Sequence, residues 1–126
     1  MLLALYRIYV VGLVLDHVLK NGGVEEMEKR AIEKSSMLYK LIDGSSQYFT
    51  SAVDPSCRSR MNVPFRIKKD EDLENKFLKE AKALGYLGLK GHRSVGGIRA
   101  SIYNALLPEH VSKLRDFLNS FKLKNA

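Results

Sequence analysis

The sequence predicts an α+β domain of two layers, a small and mainly antiparallel sheet covered by helices. Three observations carry that expectation. Apolar residues recur at helical spacing in three segments, and they alternate with polar ones in two others. At 126 residues the chain fits one compact domain and leaves no room for two full ones. No internal repeat and no low-complexity tract interrupts the pattern.

The first segment, Leu2 to Leu15, is an apolar run broken only by Arg7 and followed by Asp16, His17 and Lys20. A spanning helix needs roughly 20 apolar residues, so the run reads as too short for one. It also lacks the basic start and small-residue end of a secretory signal. The expectation is a helix buried against protein. In so small a domain its covering surface must be missing or come from another chain. Asn21-Gly22-Gly23 stops this helix, and a second follows from about Val24 to Ile42. Val24, Met27, Ala31, Leu38 and Leu41 form its apolar stripe. Asp43-Gly44-Ser45-Ser46 supplies turn chemistry.

Tyr48 to Val53 reads as a strand, Asp54-Pro55-Ser56 as a turn, and Met61 to Ile67 as a half-buried strand with alternating Met61, Val63, Phe65 and Ile67. Pro64 has no N–H to give a ladder, which argues for an edge or a bulge. Asp70 is positioned to cap a third helix whose stripe is Leu73, Phe77, Ala81 and Leu84, closed by Gly85. Leu87 to Lys90 reads as a short strand, and Ile98 to Tyr103 as another with Ile98, Ala100 and Ile102 on one face. Pro108 opens a last helix with the seam Val111, Leu114, Leu118 and Phe121.

Composition excludes several classes. Hydrophobic residues at 45% and charged ones at 28% rule out wholesale disorder. A single cysteine, Cys57, forms no intramolecular disulfide, and with three histidines it builds no Cys-rich zinc site. That usage suits a reducing compartment, and Cys57 reads as a small filler. The chain is short for a large-cofactor enzyme, which needs a bigger sheet. The net charge of +7 is uneven: residues 1–57 hold 6 Lys/Arg against 7 Asp/Glu, and residues 58–126 hold 15 against 7. Such an excess attracts nucleic-acid phosphates, anionic lipid or a small acidic substrate, and composition does not choose among them. The acid-free run from Arg58 to Lys69 reads as solvated decoration of an edge strand.

One cluster carries chemistry. Gly91-His92-Arg93-Ser94-Val95-Gly96-Gly97-Ile98-Arg99 gathers three glycines, two arginines and a histidine between two strands. Glycine lets backbone approach a ligand, and arginine presents a planar fork that fits carboxylate or phosphate. The cluster reads as an anion-recognition corner, or as a plain glycine-rich connection whose arginines are solvated. Arg99 favours the first, because a charge in mid-strand needs a partner or an open cleft. It is not a phosphate-binding P-loop: Gly97 and Ile98 stand where that motif needs Lys and Ser or Thr, and a strand follows instead of a helix. His17, His92 and His110 have no metal-ligand spacing.

The run Lys90-Gly-His-Arg-Ser-Val-Gly-Gly-Ile-Arg-Ala-Ser-Ile-Tyr-Asn104 resembles the C-terminal signature of the class V aminotransferase family, pyridoxal-phosphate enzymes, and within it the members that act on phosphoserine. Ile8 to Leu15, Asn21-Gly-Gly23 and Ser59-Arg-Met-Asn-Val-Pro-Phe-Arg-Ile67 resemble preceding segments of the same enzymes in order and spacing. The resemblance runs from about Ile8 onward; Met1 to Arg7 departs from the family's usual lead-in.

The resemblance implies the small C-terminal domain of a fold-type I pyridoxal-phosphate transferase, with residues 1–22 as a long connecting helix and 23–126 as the domain. It implies a homodimeric, cytoplasmic enzyme of serine biosynthesis that exchanges an amino group between phosphoserine and 2-oxoglutarate, giving phosphohydroxypyruvate and glutamate. Arg99 then matches the residue that binds the substrate α-carboxylate. His92 and Arg93 match residues that hold the substrate phosphate from the neighbouring subunit. The Schiff-base lysine, the aspartate facing the pyridine nitrogen and the phosphate cup lie upstream in the family, in a large domain absent from this sequence. No catalytic, cofactor-binding or metal-binding residue is therefore expected here. Pyridoxal 5'-phosphate is expected in the complete enzyme, not on this piece alone, and neither a membrane nor a nucleic acid is expected as a partner. The alternatives are a stand-alone basic module for nucleic acid and a regulatory partner of the full-length enzyme.

Overall fold

Asp70 Oδ1 accepts the backbone N–H groups of Asp72 at 2.9 Å and Leu73 at 3.1 Å, which fixes where the third helix begins. The computed structural model describes residues 2–126. Its elements are α1 (Leu2–Lys20), α2 (Gly23–Asp43), β1 (Phe49–Thr50), a single 3₁₀ turn (Pro55–Cys57), β2 (Asn62–Ile67), α3 (Glu71–Ala83), β3 (Ile98–Ser101) and α4 (Pro108–Lys124). The strands form one antiparallel sheet in the order β1-β2-β3. The α+β expectation holds.

One face of the sheet is apolar. Val63, Phe65 and Ile67 of β2 and Ile98 and Ala100 of β3 point into a core shared with Leu38 and Ile42 of α2, Phe77 and Ala81 of α3, and the α4 seam. The predicted α4 residues Val111, Leu114, Leu118 and Phe121 are all buried. Phe49, Phe65, Phe77 and Phe121 run through this layer edge to face, with centroids 5.7, 6.3 and 5.1 Å apart. Aromatic rings prefer that arrangement because a positive edge meets a negative face. The other face carries Asn62, Pro64, Arg66, Arg99 and Ser101, all half-buried, and no helix of the core lies on it.

Pro64 lies in the middle of β2 and is paired only with Arg99 of β3. β1 pairs with Ile67 and Arg66 and goes no further. Continuing the ladder would require a donor at position 64, which proline lacks. β1 is therefore two residues long, shorter than the strand expected over Tyr48 to Val53. The strand expected over Leu87 to Lys90 reduces to one bridge, Lys90 to Ile98. The turn that closes α3, with Tyr86 N–H donating to Ala81 O at 2.9 Å, leaves Leu87 exposed, while Leu89 is buried in the core.

Several expected core positions are corrected. Val24 and Leu84 are exposed: each lies at an end of its helix, beyond the reach of the sheet. Cys57 is exposed as well. α1 has no buried residue, Tyr6 and Tyr9 included, in line with the expectation that its covering surface is missing or comes from another chain. Among the described residues its main packing partner is α2. The helix also runs on past the apolar stretch to Lys20. Its 19 residues include an 18-residue window of mean hydropathy 1.8, which makes it long and apolar enough to cross a membrane by length and composition. The sequence reading had placed it short of that threshold. Met1 lies outside the described residues.

Lys34 was not foreseen. It is 1% exposed on α2, and its Nζ donates to three carbonyls, Ile102 at 3.0 Å, Tyr103 at 2.7 Å and Leu106 at 2.7 Å. An ammonium has three donors, and here each has an acceptor, which is what makes its burial tolerable. Burial, with Arg30 nearby, holds its pKa below the ordinary lysine value. The contact ties the exit of β3 to α2 and so fixes the strand that carries Arg99.

Candidate functional site

The loop between Lys90 and Ile98 closes on itself. Gly91 N–H donates to Gly97 O at 2.9 Å, and His92 O accepts from Val95 and Gly96 N–H at 3.0 and 2.8 Å. A side chain at position 91 would run into the Gly96 carbonyl, so only glycine allows the closure. Gly97 has φ of +69°, and a Cβ there would overlap Arg66 Cδ and stand 2.9 Å from Phe65 O. The two ends of the loop are thus packed too closely for any other residue.

His92 and Arg93 sit exposed at the far end of this ring. Ser94 N–H donates to His92 Nδ1 at 3.3 Å, and Ser94 Oγ lies 2.7 Å from the same nitrogen. A backbone N–H can only donate, so Nδ1 is an acceptor and the neutral ring carries its proton on Nε2. The ring therefore offers a donor on its outward side. Both residues line a cleft of about 360 Å³ between the loop and the first half of α3, with Arg66, Glu74 and Lys90 among the other walls.

Arg99 is elsewhere. It lies on the open face of the sheet opposite Pro64, outside the lining of that cleft. Its Nε is buried and has no hydrogen-bond partner. A buried donor left unpaired costs roughly 1–3 kcal/mol, which a bound carboxylate on this face would recover. Asn62 Oδ1 beside it lies 3.3 Å from Ser101 Oγ and accepts from Tyr103 OH at 3.2 Å. These three polar residues were missed from sequence; their one signal was the outward half of the β2 and β3 alternation. The structure brings His92 and Arg93 together and leaves Arg99 on a separate surface.

The basic run from Arg58 to Lys69 keeps Arg60, Lys68 and Lys69 exposed, as solvated decoration implies, but its three arginines are paired. Arg58 makes a two-pronged contact with Asp43 at 2.7 and 2.8 Å, and lies over the Tyr39 ring at 4.6 Å. The guanidinium bond holds the Asp43 carboxyl below its ordinary range. Arg60 pairs with Glu28 at 2.6 Å and Arg66 with Glu74 at 2.6 Å. Three of the five cations of this run therefore already face a carboxylate, leaving a weaker field than the composition suggests.

Among the described residues no group of histidine, cysteine and carboxylates is arranged to hold a metal ion. A pyridoxal site needs a free lysine amine, a carboxylate for the ring nitrogen and a phosphate cradle. The buried lysine, Lys34, gives all its donors to carbonyls, and the buried Glu74 is taken up by Arg66 and by Ile67 N–H at 3.0 Å. The residues present do not make such a site by themselves.

The family model for class-V aminotransferases matches residues 4–114, and the chain belongs to that family. Within it, the chain is 51% identical over 122 residues to the phosphoserine aminotransferase of Saccharomyces cerevisiae, covering 97% of this chain and 31% of that protein. It is likewise 51% identical over 121 residues to the phosphoserine aminotransferase of Laribacter hongkongensis, covering 96% and 33%. Of solved structures, phosphoserine aminotransferase from Bacillus circulans subsp. alkalophilus superposes with a TM-score of 0.92 at 41% identity, over 96% of this chain and 33% of that one. The pyridoxal-phosphate-bound phosphoserine aminotransferase from Trichomonas vaginalis gives a TM-score of 0.83 at 36% identity, over 90% and 32%. The chain thus spans about a third of the length of the curated relatives it matches. Because 96% of the 126 residues superpose on the Bacillus chain, about 5 are left out, and α1 has a counterpart inside that enzyme.

Proposed function

We propose that this chain is the C-terminal domain of a phosphoserine aminotransferase, providing substrate recognition for the exchange of an amino group between phosphoserine and 2-oxoglutarate. Arg99 holds the α-carboxylate common to the amino-acid substrates. His92, through its outward Nε2–H, and Arg93 hold the distal phosphate, reaching into the site of a partner subunit in a cytoplasmic homodimer. Residues 1–22 form the connecting helix and 23–126 the domain. Pyridoxal 5'-phosphate and the lysine that carries it belong to the remaining two-thirds of the polypeptide, so this piece alone is inactive.

The observation that carries the reading is the buried, unpartnered Nε of Arg99 on an otherwise polar and uncovered sheet face. The Nε edge of this guanidinium is free of an acceptor, and a carboxylate fits such an edge in a two-pronged way. His92 and Arg93 lie on a separate surface from it, which suits residues that serve the site of a partner subunit. An uncovered α1 with a counterpart in a threefold longer enzyme supports the domain assignment.

Single-turnover rates of both half-reactions in the complete polypeptide test the assignment. Arg99→Ala is expected to slow phosphoserine and glutamate alike by at least tenfold, since loss of one member of a buried charge pair costs roughly 2–5 kcal/mol. Arg93→Ala is expected to weaken phosphoserine more than glutamate, because a phosphate carries close to two charges and a carboxylate one. An Arg99→Ala enzyme that strongly separates the two substrates, or an Arg93→Ala enzyme that treats them alike, overturns it.

A further inference from the structure

We infer that Arg66, anchored by Glu74, is a positioning residue that sets how the loop presents His92 and Arg93 to a phosphate; the inference rests on the reading of those two residues as the phosphate-holding pair. Glu74 is 5% exposed, and one of its oxygens, Oε1, accepts both from Arg66 Nε at 2.6 Å and from the Ile67 N–H at 3.0 Å. The Asp70 cap fixes the first turn of α3 and with it the place of Glu74. Arg66 is therefore held at its Nε, and the bond to Glu74 keeps it charged beyond its ordinary range.

From that anchor its stem passes directly under the end of the loop. The Arg66 Cδ occupies the space a side chain at Gly97 would need, and its Nη1 lies 3.7 Å from where a Cβ at Gly96 would stand. The Gly97 carbonyl in turn accepts the N–H of Gly91, so the atom that closes the loop belongs to the residue that rests on Arg66. His92 and Arg93 follow Gly91 directly and share one cleft with Arg66 and Glu74. A rigid support of this kind is what a recognition residue on a loop requires, since small displacements of a charged donor lose much of its binding.

The test is a mutant cycle in the complete polypeptide. It reads the phosphoserine and glutamate half-reactions together with the calorimetric Kd for inorganic phosphate. Arg66→Met keeps the stem and removes the anchor. It is expected to cost at least tenfold with phosphoserine, less than threefold with glutamate, and to weaken phosphate in step. Arg66→Met added to a chain already carrying His92→Ala and Arg93→Ala is expected to fall within twofold of that pair alone, because a residue that acts through others adds nothing once they are gone. Glu74→Gln keeps an acceptor for Ile67 and removes the counter-charge that anchors Arg66, and it carries the same cycle if Arg66→Met does not fold. Equal losses on both substrates, or losses that multiply in the combined variant, overturn the inference and leave the reading of Arg93 standing. An Arg93→Ala enzyme with unchanged phosphoserine kinetics overturns the underlying reading instead.

Discussion

Pro64 stands directly opposite Arg99 in the β2–β3 pair, and neither residue offers the other a backbone hydrogen bond. Proline has no N–H, and the N–H of Arg99 turns the other way, to Leu89 O at 2.8 Å. Facing residues in such a non-bonded pair stand close, with Cα atoms roughly 4.5 Å apart. The Arg99 stem therefore leaves the sheet beside a rigid ring, and its Nε ends up shut from water without an acceptor.

That strain has a measurable sign. Arg99→Met removes the orphaned donor and keeps an apolar stem, so this chain is expected to gain stability of about 1 kcal/mol, within the range for an unsatisfied buried group. Urea unfolding of the two proteins measures it. A variant less stable than the parent would show that Arg99 already has a partner in the free chain.

Lys34 gives the opposite expectation. Lys34→Met leaves the carbonyls of Ile102, Tyr103 and Leu106 without their donor, and a loss of roughly 3 kcal/mol or more is expected. The same denaturant titration reports it. A change below about 0.5 kcal/mol would mean that water replaces the ammonium readily.

Two glycines separate conformational need from mere presence. Gly97→Ala puts a Cβ at φ of +69° against Arg66 and the Phe65 carbonyl, and a cost of about 1–3 kcal/mol is expected. Gly12→Ala, in the middle of α1 with nothing within 4 Å, is expected to be neutral or to stabilise by up to about 1 kcal/mol. Melting curves for the pair check the order.

The free chain is expected to self-associate through α1. Leu2, Leu5, Ile8, Leu13 and Val14 are all exposed on one 19-residue helix, an apolar surface that a lone soluble domain rarely leaves open. Sedimentation over a wide concentration range measures the association, and paired Leu13→Glu and Val14→Glu substitutions are expected to abolish it. A concentration-independent monomer that ignores those substitutions contradicts the expectation.

Local rules were enough for much of this molecule. The Asp70 cap, Pro108 in the first turn of α4, the α4 seam and the alternation of β2 and β3 depend on residues a few positions apart, and those were legible directly. The cluster from Gly91 to Arg99 was legible for the same reason, because its chemistry lies in consecutive residues. What escaped was every feature that joins distant parts of the chain. Lys34 looks like any exposed helix lysine until the exit of β3 arrives 68 residues later to meet it. Glu74 looks like a charge that suits a helix start until Arg66 and Ile67 are folded over it. β1 has the composition of a longer strand, and only its pairing against a proline cuts it to two residues. Sequence by itself determined the fold class, the four helices and the glycine-rich loop, because propensity, capping and periodicity act over a turn or a pleat. Tertiary structure alone decided which charges are paired, which are orphaned and how short β1 is, because burial and pairing depend on what the rest of the chain brings within contact distance.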